Sequence, residues 1–223
     1  MGIAVIVAIT ALLSSVFGRK KRYSFPDEFF YIYLDGGKYK ASADSLADQV
    51  QKRSGAGLIR AEKSFQVVCF LYDKIQDVDK VKASLKSQGL DVLVGTLKIE
   101  KLNRKSKRLL KADSDAQVLI EMFPKYFSKI YDLICDFDTH KLTESEVYVY
   151  MRQIYVEFTE SVRSLNGFAV DILIQFANNI KVAIYNFLYG KNEDPIASSL
   201  KQICFFIVYW YNDMILEANS GLS

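Results

Sequence analysis

The chain has 223 residues, half of them apolar and a quarter charged, with eleven glycines, three prolines and three cysteines. That balance excludes a disordered tail, a collagen-like fibre and a disulfide scaffold, and the length suffices for one large domain or two small ones. The net charge of +3 is unevenly placed: residues 1–22 carry +4, 23–99 carry +1, 100–112 carry +5 and 113–223 carry −7. Positive charge confined to two short runs, not spread over a folded face, argues against a nucleic-acid partner.

Residues 2–17 contain no charge, and Arg19-Lys20-Lys21-Arg22 follow them directly. As a helix, sixteen residues span about 24 Å, and flanking basic side chains can snorkel to make up the rest of a bilayer core. A cleaved signal peptide would want its positive charge before the apolar run and a small-x-small site after it. The segment 1–22 therefore reads as a single transmembrane anchor with a basic flank. The positive-inside rule applied to Arg19–Arg22 keeps the rest of the chain cytoplasmic.

Residues 29–99 repeat with a period of 35. The first unit has the strand run Phe30-Tyr31-Ile32-Tyr33-Leu34, a turn at Asp35-Gly36-Gly37, a helical stretch to Arg53, Gly55 and then Leu58-Ile59. The second has Phe65 to Leu71, a polar turn to Asp77, a helical stretch to Gln88, Gly89 and then Val92-Leu93-Val94. Ala43, Leu46, Ala47 and Val50 give one apolar helix face, and β-branched and aromatic residues fill the strand runs. Ser42 and Asp77 are candidate helix caps, and Gly55 and Gly89 candidate left-handed terminators. Two such units predict an α+β, ferredoxin-like β-α-β-β-α-β domain over 23–100, with two helices on one side of an antiparallel sheet.

The tandem units, with Ala41-Ser42-Ala43-Asp44-Ser45-Leu46-Ala47-Asp48-Gln49-Val50 in the first helix and Val81 to Leu90 in the second, resemble the SPOR (sporulation-related repeat) domain. The resemblance covers about 70 residues. It implies a bacterial protein that binds peptidoglycan glycan strands at the division site or in the sporulating envelope, displayed outside the cytoplasmic membrane. The family's usual Gly-Pro-Phe or Gly-Ala-Phe after the strand is replaced here by Asp35-Gly36-Gly37 and Leu71-Tyr72-Asp73.

Strand alternation puts Phe30, Ile32, Leu34, Phe65, Val67 and Cys69 on the helix side, and Tyr31, Tyr33, Gln66, Val68 and Phe70 on the other. Aromatic and amide side chains on an open sheet can stack on sugar rings and bond hydroxyls. Tyr31, Tyr33, Gln66 and Val68 are thus the candidate ligand-binding residues. The competing expectation is that the C-terminal helices cover this rather apolar face.

Residues 101–112 read as a basic, solvated connector, and 113–223 as an all-α helical bundle of about four helices. Its signals are an apolar stripe from Val118 to Ile134 with Pro124 as a kink, a capping box at Thr143–Glu146, an apolar stretch from Phe168 to Tyr189, and an Asp194-Pro195 helix start. The −7 of this region against the +5 connector suggests a self-docking contact. Its partner is a protein that the sequence does not specify.

No phosphate loop, nucleophile elbow or metal box is present. Cys69, Cys135 and Cys204 sit in apolar runs as small buried hydrophobes, and the one histidine, His140, falls in a helix–helix turn. The sequence implies no catalytic residue, no metal and no cofactor. Two functions follow: an envelope protein whose sheet binds glycan, or a cytoplasm-facing membrane adaptor whose sheet is buried by its own bundle.

Overall fold

The computed structural model of the protein describes residues 23–87, 91–190 and 194–221. The expected anchor at 2–17, its basic flank and the terminator role of Gly89 lie outside these residues.

The order is β1 (Glu28–Asp35), α1 (Lys40–Lys52), β2 (Leu58–Ala61), β3 (Phe65–Tyr72), α2 (Ile75–Ser87) and β4 (Leu93–Lys98), then α3 (Arg104–Ala112), α4 (Ser114–Asp138), α5 (Glu144–Arg163), α6 (Phe168–Tyr189) and α7 (Ile196–Gly221). The four strands form one sheet in the order β2-β3-β1-β4, every neighbour antiparallel. Each helix α1 and α2 thus connects two strands that are separated by a third, as in a split β-α-β pair.

The predicted helix side forms as the alternation requires. Ala43, Ala47 and Val50 of α1 pack on Val67 with Leu34, Phe65 and Cys69 beside them. Val78 of α2 packs with Ile32 and Val92, next to Phe30, Leu85 and Val94. The helix ends differ in detail. Tyr39, not Ser42, is the N-cap of α1, after Asp35 Oδ1 accepts from the Gly37 amide at 2.9 Å and Gly37 turns the chain at φ +76°. Ser54 takes the left-handed conformation expected of Gly55. Gly55 is required for a different reason: a Cβ there would collide with the Val50 side chain.

Alternation also fails once inside β3. Tyr33 pairs with Val68 but Ile32 with Phe70, so Cys69 is the extra residue of a β-bulge. A bulge interrupts the alternation where the extra residue is inserted. Leu71, which strict alternation would send to the helix side, joins Val68 and Phe70 against the C-terminal helices.

Four helices, α4 to α7, run where the bundle was predicted, and α4 continues through Pro124. Thr143 and Glu146 form the reciprocal capping box. The α7 helix begins at Ile196, one residue beyond Pro195. Residues 101–112 are not a solvated connector: Asn103 caps α3 through the Ser106 amide, and Ser106 and Leu110 are buried. Its contacts to the bundle include Leu110 in the shared core and Ser106 Oγ donating to Ala218 O at 2.9 Å.

A single core joins the sheet to the bundle. Phe29, Tyr31, Val68, Phe70 and Leu71 belong to the same cluster as Phe123, Phe127, Ile130, Met151, Leu173 and Ile207. Phe70 stacks on Tyr131 of α4, ring centroids 5.6 Å apart, and Phe29 packs on Phe127 at 5.1 Å. Among the described residues no helix is long and apolar enough to cross a membrane.

Candidate functional site

The fold brings Tyr31, Tyr33, Gln66 and Val68 to one side of the sheet, as their alternation predicts, and then covers that side with α4 and α7. Tyr31 is 3% exposed, Gln66 9% and Val68 0%, and Tyr33 is half-buried against the shared core. The physical reason lies in their neighbours. Phe29, Phe70 and Leu71 make this side too apolar to leave in water, and burying it against the bundle is favourable at roughly 25 cal/mol per Å². No sugar can stack on a tyrosine whose ring is already enclosed.

The polar atoms carried into this layer pair in part with one another, while Arg60 Nη1 is buried without a partner. Tyr31 Oη donates to Gln66 Oε1 at 3.0 Å, and Gln66 Nε2 reaches Glu62 Oε2 at 3.5 Å. Glu62 pairs with Arg60 Nη2 at 3.1 Å, and the Arg60 guanidinium lies over the Tyr31 ring, 5.0 Å from its centroid. Burial pushes the Tyr31 hydroxyl up from its ordinary value, while Arg60 pulls it back down. The loop of four residues ties β1, β2 and β3 together. Gly95 of β4 completes it, because any side chain there would occupy the space of the Tyr31 ring. Arg60, Glu62 and Gly95 went unnoticed in the sequence. The signal was present in the strand register: Arg60 stands opposite Gln66, and Gly95 opposite Tyr31.

α7 fastens the sheet to the bundle along its length. Lys201 Nζ reaches Ser54 O at 3.1 Å, pairs with Asp138 at 2.8 Å and lies over the Phe70 ring. Gln202 Nε2 donates to Ala56 O at 2.8 Å. Farther along, Asn212 accepts from the Glu100 amide at 3.0 Å and donates to Lys98 O at 2.9 Å. Asn219, seven residues on and so on the same helix face, accepts from the Asn103 amide at 2.9 Å and donates to Lys101 O at 3.0 Å. Each amide thereby grips an extended backbone as a neighbouring strand would.

The thiols are held protonated. Burial pushes Cys69 up to about 11 and Cys204 well above its ordinary value. Cys135 is exposed, contrary to the sequence reading, because it faces outward at the end of α4; its thiol is raised by partial burial and by Asp132, Asp138 and Asp136 around it. His140 ends α4 in the left-handed region at φ 57°. Among the described residues no group of three or more His, Cys, Asp or Glu is placed to hold a metal ion.

Large apolar side chains are left partly in water on several elements, α6 and α7 among them. Val182, Tyr185 and Tyr189 of α6 and Tyr209 of α7 are about half exposed. Between the two helices runs a groove with a cavity of about 340 Å³, bounded by Val182, Phe187, Phe206 and Trp210. No family model matches the chain, and no curated protein or solved structure matches it.

Proposed function

We propose that the protein is a non-enzymatic, membrane-tethered adaptor that meets other molecules through its helical bundle, with the sheet as an internal scaffold. The observation that carries this reading is the common core: the sheet side that would display a ligand site is closed by α4 and α7. The tether is residues 2–17, uncharged and followed by four basic residues. The two β-α-β units support a SPOR-like descent for the sheet, with its glycan platform turned inward in this chain. The Arg19–Arg22 cluster favours a cytoplasmic position for the folded part. The protonated thiols and the histidine confined to a turn favour interaction over chemistry.

The test is binding of the full chain, in vesicles, to purified glycan strands. An adaptor of this kind floats with the vesicles and captures no glycan. Glycan retention that Tyr31→Phe abolishes, at unchanged stability, would restore the sheet as the functional face and overturn the proposal.

A further inference from the structure

The groove between α6 and α7 has two chemically different parts. Its lining is apolar and aromatic toward Trp210, with Phe206 stacked on Trp210 at 5.2 Å and Val182 in the same lining, and includes the polar side chains of Asn179, Asn186, Ser199 and Gln202. Along α7 the same stripe continues from Trp210 to Asp213 and Glu217, at spacings of three and four residues. Among the described residues neither carboxylate has an ion-pair partner, and partial burial raises the Asp213 carboxyl above its ordinary value. The site therefore suits a segment that is apolar for several turns and strongly basic just afterwards.

We infer that this groove takes the protein's own residues 2–22 when no bilayer is available to them. The segment has the required order, sixteen uncharged residues and then Arg19-Lys20-Lys21-Arg22. Its length fits: α7 rises about 21 Å from Ser199 to Asp213, against about 24 Å for residues 2–17 as a helix. The described chain also begins against α7: Phe25 packs on Tyr211, with ring centroids 4.9 Å apart, on the face of the helix turned away from Asp213. Residues 18–22 span up to about 17 Å when extended, against a helix diameter of about 10–12 Å, so the basic cluster itself reaches round α7 toward Asp213 and Glu217. The tether thus has two resting places, bilayer and groove, and membrane capture uncovers the bundle surface.

This inference rests on the reading of residues 2–17 as a tether, and the two can fail separately. A photoreactive side chain is placed at Val182, which is 56% exposed, in the full chain. In detergent-free buffer it is expected to link to a peptide within residues 2–17 of the same molecule, and the link is lost on adding phosphatidylcholine vesicles. Links to a second molecule, or none to residues 2–17, overturn the groove. Trp210, the one tryptophan, gives a second reading. The charged variant Ile6→Asp with Leu13→Asp should raise acrylamide quenching of Trp210, and unchanged quenching contradicts the docking. Vesicle flotation reads the tether alone: a chain that floats without any change at Trp210 keeps its tether and refutes the groove.

Discussion

Tyr31 shows how one side chain fixes its surroundings. Its ring fills the space above Gly95, its hydroxyl bonds Gln66 and Arg60 covers its face. Replacing Gly95 with alanine forces the ring or β4 to move, and overpacking of this kind costs about 1–3 kcal/mol. The expected loss is read as a lower urea midpoint at unchanged slope, and a midpoint within error of the parent would refute the placement. Buried acids set a second expectation. The folded chain holds Cys69 at about 11 against an ordinary 9.0, and Tyr126 at about 12 against 10.0. The native state thus keeps protons that the unfolded chain releases, so unfolding releases protons in this range. Their stabilising contribution is complete below pH 9 and is lost as pH rises through about 11 and 12. Denaturation midpoints measured from pH 8 upward should be flat at first and then fall, with Cys69→Val making the fall above pH 9 less steep. Alternation alone identified which residues line each side of β1, and of β3 as far as Cys69. It could not identify the bulge at Cys69, since one unpaired residue leaves no trace in composition or period.

At the level of elements, helix ends and helix faces make separate contributions. His140 closes α4 with φ 57°, and the Lys141 amide returns to Asp136 O at 2.9 Å. A β-carbon is unfavourable in that conformation, so His140→Gly should stabilise by roughly 0.5–1 kcal/mol. A differential scan showing no gain would count against the cap. On α7 the two asparagines bind four backbone groups between Lys98 and Asn103. With about 0.5–1.5 kcal/mol for each hydrogen bond, Asn212→Ala and Asn219→Ala together should cost several kcal/mol. Amides 98–103 would then exchange faster with solvent, and unchanged exchange there would mean that apolar packing alone holds the junction. The repeat made the strands and the first two helices legible, and the capping box at Thr143 marked the start of α5. The docking of α7 was not legible. It depends on polar residues, Lys201, Gln202, Asn212 and Asn219, that look solvated until their partners more than a hundred positions away are known.

Across the whole molecule, the sheet and bundle share one core because both sides of the central strands β1 and β3 are covered. α1 and α2 cover one side and α4 and α7 the other. Composition could establish that both regions have enough apolar surface for a core. It could not decide between two cores and one, which turns on whether Phe29, Val68, Phe70 and Leu71 meet a ligand or a helix. The measurement that decides it is hydrogen exchange of the full chain at increasing denaturant, comparing peptides over 29–35 and 65–72 with one over 200–215. A shared core predicts that all three lose protection at the same concentration. Strands that open while 200–215 stays protected would mean that the sheet stands apart from the bundle, and its inner side would again be available to bind.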